Sequence, residues 1–102
     1  MAKVYALYKT PTDAAAFERY YFDRHVPLAK TIPGLRTYEV TRGPIAAMGG
    51  PAPYHLIATL TFDSRAAIDA ALVSTQGQAI AADLGKFATG GVDVLIADTG
   101  MV

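Results

Sequence analysis

His25 is the residue in this chain best suited to moving a proton. An imidazole gains and loses protons near neutral pH, which fits chemistry at a carbon next to a carbonyl. It lies just after the aromatic run Tyr20-Tyr21-Phe22 and two residues before Pro27. The competing reading is a histidine at a helix end, packed there and favoured by the negative helix terminus. Tyr38 is the second candidate, because a phenol facing a dry pocket can donate to a developing enolate oxygen. Its alternative is a core tyrosine whose hydroxyl reaches the rim. His25 and Tyr38 are thus the candidate catalytic pair.

Four further residues are candidates for holding a substrate: Tyr21, Arg36, His55 and Ile57. Tyr20 and Tyr21 point about 100° apart on a helix, so one packs in the core and the other is free to line a pocket mouth. Arg36 can clamp a substrate carboxylate or make an ion pair at the rim. His55 and Ile57 fall on one face of an expected strand. Two histidines without clustered acids make a poor metal site, so no metal is expected. Asp83 and Asp93 read as surface or capping residues. No Ser-His-Asp order, carboxylate pair or phosphate loop is visible.

Composition narrows the function classes. The chain has 102 residues, 52% hydrophobic and 18% charged, which predicts one folded domain over 1–102. Nine basic and nine acidic side chains balance, so no basic surface is predicted for nucleic acid. There is no cysteine, which removes disulfides, thiolate nucleophiles and cysteine metal sites. No apolar run is long enough to span a bilayer, and Met1 to Tyr5 leads directly into a strand pattern rather than a leader. A cytoplasmic location is the resulting expectation.

The elements that must position these residues follow from periodicity. Lys3 to Lys9 predicts a strand. Thr10, Pro11 and Asp13 predict a helix start, and Ala14, Phe17, Tyr21, Arg24 and Leu28 form its stripe. Pro27 predicts a bend or an end near Arg24 to Val26. Leu35–Arg42 and Tyr54–Phe62 alternate as strands. Between them, Gly43–Pro53 holds three glycines and three prolines and is a candidate lid over the pocket. Ser64 caps a second helix, which Thr75 and Gln78 are expected to break and restart. Val92–Ala97 is the last strand. The order β-α-β-β-α-β predicts an α+β, ferredoxin-like sandwich. Its second sheet face, expected to carry Tyr38, Val40, Ile57 and several threonines, is only half suited to water. A second copy of the chain is the expected cover.

Phe17-Glu18-Arg19-Tyr20-Tyr21-Phe22-Asp23-Arg24-His25-Val26-Pro27-Leu28, then Ile32-Pro33-Gly34-Leu35-Arg36-Thr37-Tyr38, resembles the EthD family. Leu60-Thr61-Phe62-Asp63-Ser64, with an alanine-rich helix and Asp83 after it, is similar as well. The resemblance implies a dimeric α+β barrel, in which two sheets face each other and enclose a pocket. It also implies roles in catalysis for a histidine at the position of His25 and for a tyrosine on the strand of Tyr38. The expected activity is that of a cofactor-independent enzyme on a small, mostly apolar, oxygenated molecule, isomerase- or oxygenase-like. A binding protein without chemistry and a haem-binding member remain the alternatives.

Overall fold

The computed structural model describes all of residues 1–102. Strand β1 (Ala2–Lys9) is followed by helix α1 (Ala14–Tyr20), a π-helical turn (Tyr21–His25) and helix α2 (Val26–Ala29). Strand β2 (Thr37–Val40), the small hairpin β3 (Ala46–Ala47) and β4 (Gly50–Pro51), and β5 (Tyr54–Phe62) come next. Helices α3 (Arg65–Val73) and α4 (Thr75–Asp83), a 3-10 turn (Leu84–Lys86) and β6 (Val92–Asp98) complete the chain. The main sheet is antiparallel in the order β2-β5-β1-β6. The result is an α+β, ferredoxin-like sandwich, with the helices on one face of an open sheet.

Local chemistry explains the helix boundaries. The Asp13 carboxylate accepts from the Ala16 amide, and the Ser64 hydroxyl from the Ala67 amide. The break between α3 and α4 falls where expected, but the cap is Ser74 rather than Thr75: its hydroxyl accepts from the Gly77 amide. Pro27 does not end the first helix. It enters the first turn of α2, where its missing N–H is not needed. The turn before it widens, so that the Val26 amide donates to the Tyr21 carbonyl.

That wide turn has a geometric effect. Residues four apart on an α-helix drift by about 40° per step. The π turn winds less per residue and takes up part of the drift. Phe17, Tyr21, His25 and Ala29 are therefore all buried along one face, where the expected stripe members Ala14 and Arg24 are exposed.

Pairing register decides which side chains meet the helices. Tyr38 stands opposite Leu60 and Val40 opposite Ala58, and Ala58 and Leu60 stand opposite Ala6 and Val4 on β1. Ala6, Val4 and Ala58 are buried under the helices. Tyr38 and Val40 thus lie on the helix side of the sheet, not on the open side with Ile57. The open face instead carries Tyr5, Leu7, Ile57, Thr59 and Leu95. His55 leaves that face too. Tyr8 pairs with Leu56 but Lys9 with Tyr54, so His55 is the extra residue of a β-bulge. Its ring turns to α1, meeting Phe17 edge-on at 5.0 Å and Glu18 at 2.9 Å.

The core divides into two clusters. One is aromatic, around Tyr8, Phe17, Tyr21 and Phe87. The other is built on Val4, Ile32, Phe62 and Ile68. Between them the facing side chains are small: Ala6 and Ala58 on the sheet, Ala29, Gly77 and Ala81 on the helices.

Candidate functional site

Small side chains at facing positions leave a gap. A cavity of ≈ 310 Å³ lies between sheet and helices and draws its lining from both core clusters. Native cores rarely keep voids much larger than a water molecule, so one of this size is a candidate ligand site. Of its 19 lining residues 17 are hydrophobic, and no lysine, arginine, aspartate or glutamate is among them. Its polar groups are gathered on few side chains: Tyr8, Tyr21, His25 and Tyr38.

His25 is only 3% exposed. Its Nδ1 lies 2.9 Å from Oδ2 of Asp83, at the end of α4, and the Tyr20 hydroxyl donates to Oδ1 of the same carboxylate at 2.7 Å. Burial pushes the imidazole below its ordinary 6.5, and Asp83 offsets this only in part. Burial pushes the Asp83 carboxyl up, but the bonds from Tyr20 and His25 win and hold it below its usual 3.8. At neutral pH the pair is therefore carboxylate and neutral imidazole. Ionised Asp83 only accepts, so Nδ1 carries the proton. Nε2, which has no partner in the chain, keeps its lone pair. A buried imidazole in this state is a base whose tautomer is fixed by its neighbour.

Tyr21 and Tyr38 face each other across the cavity wall, their hydroxyls 2.6 Å apart. One hydroxyl donates to the other, so a single proton remains for a third group. Burial raises both phenols, which keeps them neutral donors. The site can thus accept a proton at His25 and offer one hydrogen bond from the tyrosine pair.

The remaining candidates lie elsewhere. Arg36 is exposed and spans Asp63 with two bonds of 2.8 and 2.6 Å, so it is the rim ion pair rather than a carboxylate clamp. Ile57 is on the open face. His55 and Glu18 wall a separate cleft of ≈ 500 Å³, with Arg42, Gly43, Pro44 and Ile45. The expected lid belongs there as well, since no residue of 43–53 lines the apolar cavity. Asp83, read from the sequence as a surface or capping residue, is buried in the site. So is Tyr8. The alternation of β1 places Tyr8 with Ala6 and Val4, and that periodicity was the signal available for it.

An EthD domain profile matches residues 9–91. An uncharacterized 11.0 kDa protein of the thcB-thcC intergenic region of Rhodococcus erythropolis is 37% identical over 98 residues, covering 96% of this chain and 94% of that protein. An EthD family protein from Bacillus halodurans C-125 has a crystal structure that superposes with a TM-score of 0.89 at 33% identity, over 98% of this chain and 99% of that one. At 15% identity, a dimeric ferredoxin-like protein of unknown function from Thermobifida fusca YX shares the fold, with a TM-score of 0.70 over 96% and 90% of the two chains.

Proposed function

The chain belongs to the EthD domain family, and from that premise we propose that it is a cofactor-independent enzyme moving a proton next to the carbonyl of a small, mostly apolar molecule. The reading is carried by one observation: a buried, neutral His25, fixed by Asp83, on the wall of an apolar cavity. The ligand enters the cavity and loses its water. Nε2 of His25 takes a proton from the carbon beside the carbonyl. The electron pair moves into the carbonyl oxygen, and the free proton of the Tyr21–Tyr38 pair hydrogen-bonds the resulting enolate. Return of the proton to the same or a conjugated carbon releases an exchanged or isomerised product. Atoms and electrons balance without a co-reactant.

The active form in this reading is a homodimer. The open sheet face carries Tyr5, Leu7, Ile57 and Leu95 among threonines, an arrangement suited to a second sheet. The T. fusca relative of the same fold is described as dimeric. The cavity lies within one protomer, between its sheet and its helices, so the second copy acts by covering the sheet rather than by closing the pocket.

Solvent-deuterium exchange tests the chemistry. With 2-acetonaphthone in D2O, the wild-type chain should exchange the methyl protons faster than buffer, read by proton NMR. His25→Asn should return the rate to that of buffer; an unchanged rate in that variant would sink the mechanism. A chain that binds the ketone without exchanging it is a binding module, and a Soret band on titration with haemin would mark a haem protein instead.

A further inference from the structure

Tyr8 differs from the other tyrosines of the site. Its ring is locked, with centroids 5.4 Å from Phe17 and 5.5 Å from both Tyr21 and Phe87. The residue is 2% exposed. Tyr20 donates to Asp83, and Tyr21 and Tyr38 pair with each other; the Tyr8 hydroxyl has no partner in the chain. Enclosed hydroxyls are nearly always bonded, and no fully enclosed side-chain oxygen or nitrogen of this chain lacks a partner; the unpaired Tyr8 hydroxyl therefore keeps a small accessible surface at its tip although the ring is buried. Tyr8 lines the apolar cavity. The same Tyr21 and Phe87 rings also pack on the His25 ring, with centroids 5.5 and 4.6 Å from it, so Tyr8 lies toward the end of the cavity that holds His25.

The lining bears on the ligand's charge. A carboxylate or an ammonium brought into this cavity would lose its hydration and meet no opposite charge, because the cavity has none. Arg36, which could have served a carboxylate, is held outside by Asp63. A neutral acceptor oxygen meets no such penalty, and it supplies what the Tyr8 hydroxyl lacks.

We propose that Tyr8 is a ligand-anchoring residue, whose hydroxyl donates to an acceptor oxygen of an uncharged, mostly apolar molecule, and that the cavity rejects carboxylate-bearing molecules. The inference rests on the reading of this cavity as the ligand site and narrows what it takes. It does not depend on proton transfer by His25.

Two probes of one ring system test it: 2-acetonaphthone, a neutral ketone, and 2-naphthoate, the matching carboxylate. Each is titrated into the full chain and followed by amide NMR shifts. The ketone should bind wild type, and Tyr8→Phe should bind it about five- to tenfold more weakly, as expected for one lost hydrogen bond. The melting temperature of that variant should not fall, since the deleted hydroxyl holds nothing in the fold. Naphthoate should bind at least about tenfold more weakly than the ketone. Equal affinity of wild type and Tyr8→Phe, a lowered melting temperature, naphthoate binding as tight as the ketone, or no binding of either probe would each overturn the proposal. Binding that depends on Tyr8 without deuterium exchange counts against the His25 mechanism alone. Exchange with no effect of Tyr8→Phe counts against Tyr8 alone.

Discussion

Nδ1 of His25 and Oδ2 of Asp83 lie 2.9 Å apart, though the residues are 58 positions apart in the chain. One comes from the wide turn after α1, the other from the end of α4. Asp83 also accepts from Tyr20, so it is held on two sides. The carboxylate selects the tautomer of His25, and with it Nε2 as the nitrogen that keeps the free lone pair.

Asp83→Asn should therefore lower ketone exchange by on the order of 10²-fold while His25 stays in place. Its amide can donate to Nδ1 and move the imidazole proton to Nε2. Loss of the carboxylate also removes the charge that partly sustains the His25 pKa, so His25 should titrate at still lower pH. Proton NMR of the imidazole in the variant checks this; an unmoved titration would refute the positioning role.

Acid should destabilise the fold in two steps of the same sign. His25 has a folded pKa below its ordinary 6.5. Between those two values the unfolded chain binds more protons, so stability is lost as pH falls below about 6.5 toward the folded pKa. Asp83, held below 3.8, gives stability above that value and loses it as pH falls through its folded pKa. Thermal melts from pH 8 to pH 3 should be flat at first and then decline. In His25→Gln the earlier part of the decline should vanish.

The Tyr21–Tyr38 pair should be coupled. A double-mutant cycle of Tyr21→Phe and Tyr38→Phe should give about 1 kcal/mol of interaction energy in urea melts. Additive effects would mean that the two hydroxyls do not serve each other.

Ala58→Leu should fill the cavity from its floor. Ala58 is 1% exposed and faces the gap from the centre of the sheet. The variant should lose 2-acetonaphthone binding by more than about tenfold, since the ligand and the added side chain need the same space. His25 and both tyrosines remain, so retained binding would place the ligand elsewhere.

Leu95→Arg should separate a dimer without touching the cavity. Leu95 is on the open face and 56% exposed. Light scattering over a dilution series should give a dimer for wild type and a monomer for the variant. A wild-type monomer would leave the sheet face uncovered and remove the homodimer from the proposed function.

The element order and fold class were legible because alternation and capping are local. Asp13 and Ser64 announce their helices, and the strand of Tyr54–Phe62 was readable to its ends. Sheet faces were not. Alternation divides a strand into two sets but does not say which set meets the helices, and Tyr38 and Val40 turn to the helices rather than to the open face for reasons of register with β5. His55 was lost to a bulge, which adds one residue without changing the sequence pattern. Asp83 could not be found from its neighbours, because its partner arrives from the other half of the chain. His25 and Tyr38 were singled out by residue type and resemblance, while Tyr8 looked like any strand aromatic.

Counted along the chain, the turn at Tyr21–His25 is an α-helix with one residue too many. Substitutions within it leave that count unchanged. A one-residue deletion would not. It would relax the turn to α-helical winding and remove the four-residue step from Tyr21 that brings His25 onto the buried face, even though every side chain of the site was still encoded. The number of residues in this segment is thus a constraint of its own on the pairing of His25 with Asp83, beside the identity of the histidine within it.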